Sequence, residues 1–178
     1  AKGETYEVNR LPRDITLLQS WYWTKPSIRW HKNGNAVAVM LEAWDNKTRW
    51  LASVDFKANK FVTQHKLHDD AWINWSFNEF DWVGNDQLYY LSEESGYSHL
   101  YLKDLNSAKA KQLTSGNFEV SHVTLTKDQP RFIFKGNKKH PGIYEIYQVD
   151  MAKIWIVQVV IQIDDHVGLI LQIDDVAH

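Results

Sequence analysis

The chain has 178 residues, 44% of them hydrophobic, which is enough for a sizeable buried core in one domain. Its 20 basic and 22 acidic residues leave a formal net charge of −2, so nothing marks a partner such as nucleic acid or an anionic membrane, and both are set aside. The absence of cysteine removes disulfides, thiol nucleophiles and thiolate metal sites, and no apolar run reaches the ~18 residues of a membrane-spanning helix. Nine Trp, eight Tyr and seven Phe favour strands and cross-strand pairs, so the composition points to an all-β fold.

Gly3 to Val8 alternates as a short strand does, and Leu11-Pro12-Arg13-Asp14 interrupts it, because proline donates nothing to a ladder. No charged n-region with an apolar h-region opens the chain, so no leader is expected within it. Trp21, Tyr22 and Trp23 precede Pro26, and Ser27 to Trp30 runs as a strand into the polar turn His31-Lys32-Asn33-Gly34. Asn35 to Ala43, Arg49 to Phe56 and Lys60 to Leu67 complete an antiparallel meander, joined by Asp45-Asn46-Lys47 and Lys57-Ala58-Asn59. The same order returns. Phe80-Asp81-Trp82 leads into Val83-Gly84-Asn85-Asp86, then Gln87 to Ser92 and Tyr97 to Leu102 face each other across Glu94-Ser95-Gly96, and Lys109 to Thr114 follows. In a third pass Val120 to Leu125 precedes Lys127-Asp128-Gln129, with Arg131 to Lys135 and Ile143 to Val149 after it.

The turns after the first strands recur at Gly34, Gly84 and near Asp128, a period of roughly 45 to 50 residues that fits four-stranded propeller blades. The expected architecture is about three four-stranded antiparallel blades, at about 27–67, 78–114 and 118–163, with the strand 3–8 ahead of them; a plain β-sandwich is the competing one. Residues 1–150 are expected to form the partial propeller and 151–178 a β-rich tail.

Trp30-His31-Lys32-Asn33-Gly34, the run Leu91 to Leu102, Gln112 to Val120, Phe134-Lys135-Gly136-Asn137 and Tyr144 to Asp150 carry a family resemblance, as does Ala71-Trp72-Ile73-Asn74. Over residues 3 to 150 the chain resembles the N-terminal β-propeller of the dipeptidyl peptidase IV branch of the prolyl oligopeptidase family, the bacterial members above all. The resemblance implies a serine exopeptidase that takes short N-terminal pieces from peptides held between a seven- or eight-bladed propeller and an α/β-hydrolase domain. About three blades and one leading strand are expected here, without the catalytic half. No Gly-x-Ser-x-Gly occurs, and Gly96-Tyr97-Ser98-His99-Leu100 lacks the last glycine and follows a hairpin, so Ser98 is not a nucleophile. His99 is its neighbour on a strand, and such neighbours point apart.

The resemblance also invites comparison of Glu93-Glu94 with a glutamate pair that binds the substrate's amino terminus; that pair lies on an earlier blade, and these two read as solvated turn residues. His65-x-x-His68 with Asp69 and Asp70 has ligand types for zinc, but i and i+3 on an extended segment face opposite ways, so no metal or other cofactor is expected. Arg49 and Arg131 have the chemistry to hold a carboxylate, with nothing to place them. Asp70 to Phe77 is different, since it puts three aromatics in the connection between two blades. These residues either pack between blades or, as the resemblance implies, Trp72, Asn74, Trp75 and Phe77 form a wall near the bound peptide's second residue and beyond.

After Asp150 the sequence departs from the family. Ile154 to Ile163 is almost continuously apolar, and Ile161-Gln162-Ile163-Asp164-Asp165 is echoed by Leu171-Gln172-Ile173-Asp174-Asp175. This is either a hairpin closing the third blade, with Asp164 to Gly168 as its turn, or non-native sequence. Two function classes stay open: a non-catalytic propeller fragment that gates and positions peptide substrates for the hydrolase domain, and a stand-alone protein-interaction module. Exported relatives favour the periplasm, and uncovered blade edges, through Ile154 to Ile173 or Gly3 to Val8, favour self-association.

Overall fold

A computed structural model describes residues 27–43, 45–127, 130–152, 156–163 and 169–174. Among them, the strands form three sheets, and within each sheet every strand pairs antiparallel with the next in sequence. The first holds β1 (Ser27–Trp30), β2 (Val37–Glu42), β3 (Thr48–Asp55) and β4 (Lys60–His68), and the second β5 (Phe80–Val83), β6 (Gln87–Ser92), β7 (His99–Asp104) and β8 (Lys111–Gln112). The third holds β9 (Val120–Leu125), β10 (Arg131–His140), β11 (Ile143–Asp150), β12 (Ile156–Ile163) and β13 (Leu169–Asp174). The architecture is all-β and blade-like. The expected leading strand Gly3 to Val8 and the turns at Asp128 and Asp164 to Gly168 fall wholly or partly outside the described residues.

One count is corrected. The third sheet has five strands where four were expected, because β12 pairs with β11 at Gln148↔Val157 and on its other side with β13 from Ile163↔Leu169 to Gln158↔Asp174. An apolar strand has two ladder edges to satisfy, and the echoed segment satisfies the second.

The middle sheet is buried on both faces, and the parity of its strands shows how. Leu88, Tyr90 and Tyr101 pack against Ala38, Met40 and Leu51 of the first sheet. Tyr89, Leu91, Leu100 and Leu102 face the other way, onto Val120, Val123, Phe132, Phe134, Tyr147 and Val149 of the third. Successive side chains of a strand alternate between faces, so a strand covered on both sides reads as a continuous apolar run, as Leu88-Tyr89-Tyr90-Leu91 does. Each such side chain contributes roughly 1.5–3 kcal/mol on burial. The apolar contacts therefore hold the sheets face to face, and polar pins fix their offset: Trp82 Nε1 donates to the Arg29 carbonyl at 2.9 Å, and the buried Ser98 hydroxyl donates to that of Val120 at 2.8 Å. His99 turns away from Ser98 and meets Thr114 Oγ1 at 3.1 Å.

The β6–β7 turn pivots on Gly96, whose φ of 97° is in the region that side chains disfavour and whose N–H donates to the Glu93 carbonyl at 2.9 Å. A Cβ there would meet nothing within 4 Å, so backbone strain alone acts. Gly96→Val is expected to destabilise the chain by about 1 kcal/mol or more, and an unchanged urea midpoint would place the pivot elsewhere.

Candidate functional site

A meander sends alternate turns to opposite ends of its sheet. The β2–β3 turn, the β4–β5 connection (69–79) and the β6–β7 turn therefore share one end, and the connection crosses there from the first sheet to the second. It is tied down by its backbone. The N–H of Asp69 donates to the Lys47 carbonyl at 3.0 Å, and that of Ile73 to the Asn46 carbonyl at 2.7 Å. Asp69 Oδ1 accepts from the N–H groups of Ala71 and Trp72, closing an Asx turn.

The next peptide groups are gripped by opposite charges from two sheets. Arg49 Nη1, at the start of β3, donates to the Asn74 carbonyl at 3.3 Å, while the Asn74 N–H donates to Glu93 Oε2, beyond the end of β6, at 3.1 Å. Asn74 Oδ1 then accepts from the Ser76 N–H at 3.0 Å and caps a single 3-10 turn, Trp75–Phe77. The four residues proposed for a wall are thus separated by their local geometry. Trp72 and Trp75 stand 59% exposed, Asn74 serves the backbone, and Phe77, 8% exposed, belongs to the core between the second and third sheets.

The reading of Glu93 as a solvated turn residue is corrected, while Glu94 is exposed as expected. Glu93 is half-buried over Asn74, and burial raises its carboxyl above the usual carboxylate range, against the lowering effects of the Asn74 N–H and Arg49. Burial raises the Glu94 carboxyl likewise, and its Oε2 lies 3.8 Å from His65 Nε2. Arg49 is 3% exposed, with its guanidinium pKa lowered by desolvation and supported by Glu42, its cross-strand partner, and by Glu93. Glu42 is itself raised by burial, against the Arg49 charge.

Beneath this group His65 of β4 stacks on Tyr90 of β6 with ring centroids 4.5 Å apart, and its two nitrogens meet Tyr90 Oη and Ser92 Oγ, each at 3.2 Å. Burial first, then the Arg49 charge, hold its imidazole down at about 4, so at neutral pH it is uncharged and its approach to Glu94 is no ion pair. His68 is exposed, 2.8 Å from Thr48 Oγ1 and 3.3 Å from Asp70 Oδ1. Arg131 sits across β10 and β11 from Asp150, in the third sheet. A concavity of about 540 Å³ opens at the opposite end, among Trp30, His31, Asp81, Trp82 and Thr124 near the first strand of each sheet.

Sequence reasoning named Arg49 without a place for it. The signal was its position within Thr48-Arg49-Trp50-Leu51-Ala52, a charge inside a strand stretch that is buried throughout.

The family described as the dipeptidyl peptidase IV (DPP IV) N-terminal region matches residues 12–172. Among solved structures, the crystal structure of Porphyromonas gingivalis dipeptidyl peptidase 4 superposes with a TM-score of 0.67 at 18% identity, covering 76% of this chain and 19% of that one. That likeness carries the fold, and the match spans less than a fifth of the larger protein's length. No curated protein sequence matches significantly.

Proposed function

Because the chain belongs to the dipeptidyl peptidase IV N-terminal region family, we propose that it is the non-catalytic propeller part of a serine exopeptidase, gating access to an α/β-hydrolase domain and positioning peptides for it. The observation that carries this is the pair of exposed indoles, Trp72 and Trp75, on a connection clamped to both neighbouring sheets at Asn74. Large aromatic faces held rigid lose little entropy on binding, which suits them to laying down an extended peptide. Arg49 and Glu93 hold the loop, and Trp72 and Trp75 make the wall.

The test is titration of the 178-residue chain with an Ala-Pro-containing pentapeptide, read by tryptophan fluorescence. Saturable binding without cleavage is expected, weakened about thirtyfold in a Trp72→Ala/Trp75→Ala variant, since buried aromatic anchors carry about 1 kcal/mol or more each. Dipeptide release blocked by a serine-directed inhibitor would overturn the non-catalytic reading, and unaltered binding in the double variant would remove the wall.

A further inference from the structure

The concavity near the first strands of the sheets opens around an unanswered hydroxyl. Strand pairing sets its floor: Asp81 of β5 lies directly across from Tyr89 of β6, so the two side chains share the face that Tyr89 turns to the third sheet. Both line the concavity. Tyr89 is 8% exposed, and its hydroxyl has no hydrogen-bond partner among the described residues. It is not sealed in either, because among those residues Arg49 Nη2 is the one side-chain nitrogen or oxygen both inaccessible and unpartnered. The phenol therefore reaches the surface, and the surface it shares is this concavity. Polar groups so nearly buried find partners in native folds, so this one is left to solvent or a ligand.

Charge and shape narrow the ligand. Asp81 Oδ1 accepts the Trp82 N–H at 2.7 Å, but Oδ2 has Arg29 Nε at 3.9 Å, beyond hydrogen-bond reach, with both side chains about half exposed. Arg29 instead sets its guanidinium over the Phe80 ring, 5.5 Å from the centroid, and donates to the Ile28 carbonyl. The field at the Tyr89 hydroxyl is negative on balance: burial, then Asp81 and Glu79, push its phenol up to about 12 against the Arg29 charge. Of the basic residues lining the concavity, Lys32 is exposed on the rim, and both nitrogens of His31 are taken, by the Gly84 carbonyl and the Asn33 N–H. An anion would meet the acidic floor. Val123 and Leu125 of β9 supply an apolar wall, and about 540 Å³ admits far more than a water molecule. We infer that this cleft binds an alkylammonium group, with its cationic head between the Asp81 carboxylate and the Tyr89 hydroxyl and its stem along Val123 and Leu125. The lysine side chain of a peptide and a free alkyl diamine share that chemistry. The site lies at the opposite end of the sheets from Trp72 and Trp75, and it stands whether or not they bind peptide.

The experiment follows the Val123 and Leu125 methyl resonances of the intact 178-residue chain by NMR during titration with n-butylammonium, with butyrate as the anionic counterpart. Saturable shifts are expected with the ammonium, about tenfold tighter than with butyrate. Butyrate binding as well or better, or shifts with the ammonium that never saturate, would overturn the assignment. Asp81→Asn and Tyr89→Phe keep the shape of the floor and are expected to weaken the ammonium about tenfold and about fivefold, the scales of a charged and a neutral hydrogen bond. Unaltered affinity in both variants, with near-ultraviolet dichroism matching the parent, would place the ammonium elsewhere and sink the proposal. The Trp72→Ala/Trp75→Ala variant is expected to bind n-butylammonium as the parent does, and a loss there would move the site to the loop. Nα-acetyl-lysine N-methylamide and cadaverine then separate the sources: tighter binding of the first assigns the site to a lysine side chain, and of the second to a free diamine, either result upholding the cleft as an alkylammonium site.

Discussion

Glu79→Ala is expected to cost about 3 kcal/mol, though Glu79 lies in neither the core nor the candidate site. Strand β9 carries a bulge: Ile133 pairs with Thr124 and Lys135 with Ser121, so His122 and Val123 together oppose Phe134. His122 takes a φ of 54°, unusual for a residue with a side chain, and the bulge turns two N–H groups out of the ladder. Glu79, just before β5, receives both, from His122 at 2.6 Å and Val123 at 2.7 Å. One carboxylate thus satisfies the donors the bulge exposes and pins the second sheet to the third. Hydrogen bonds to charged groups contribute roughly 1.5–3 kcal/mol each, and the solvent-facing one at His122 belongs at the low end. Glu79→Gln, which keeps one acceptor but sets an amide N–H₂ against the other donor, is expected to recover little, losing about 2 kcal/mol. Urea midpoints measure the loss, and hydrogen exchange at the His122 and Val123 amides locates it. A midpoint for Glu79→Ala within error of the parent would mean that the bulge holds its shape unaided.

The same contrast between local and distant causes separates what the sequence shows of this fold from what it hides. β9 lies where the alternation places it, and the Gly96 hairpin was legible because its cause is local: two alternating runs across a turn with a glycine. The fifth strand of the third sheet was legible only as one of two alternatives, the second arm of a hairpin turning at Asp164 to Gly168. The echo between Ile161 to Asp165 and Leu171 to Asp175 is visible, but periodicity identifies a strand without saying how many neighbours it has.

At the site, Phe77 was grouped with Trp72 and Trp75 because all are aromatic and close in sequence. A 3-10 turn advances about 120° per residue, so Trp75 and Phe77 point to different sides, and the turn depends on the Asn74 cap. Glu93 was misplaced for a related reason. Its turn is polar by composition, yet it leans over a loop 19 residues earlier, whose Asn74 N–H it accepts. Arg49 is buried by Ile73 and Asn74, 24 and 25 residues onward, and no window of the sequence holds both strand and cover.

Acidification from pH 7 to 4 is expected to remove about 3 kcal/mol of stability through His65 alone. Its side chain is 14% exposed, lodged between β4 and β6 against Tyr90, with Ser92 Oγ and Glu94 near Nε2 and the Arg49 charge close by. Burial and that charge hold its pKa at about 4, below the ordinary 6.5. Below pH 6.5 the unfolded chain binds a proton at this residue while the native state does not, so stability falls as pH drops, until the native imidazole protonates near 4. Each unit of the difference is worth roughly 1.4 kcal/mol, which sets the size of the loss. His99, also lowered by burial, acts in the same direction. The carboxyls of Glu42, Glu93 and Glu94 are raised and act in the opposite one, since the native state protonates them before the unfolded chain does. The parent's profile is a sum, and the comparison that isolates His65 is between the parent and His65→Gln. The variant cannot titrate there, so its advantage over the parent is expected to grow by about 3 kcal/mol between pH 7 and 4. A difference that stays constant across that range would show that His65 protonates in the native state as readily as in the unfolded chain, with the Glu94 carboxylate 3.8 Å away stabilising the imidazolium that burial should disfavour. Because His65 joins the first two sheets beneath the loop that carries Trp72 and Trp75, the same acidification should loosen that loop, and tryptophan near-ultraviolet dichroism should fade over the pH range in which stability is lost.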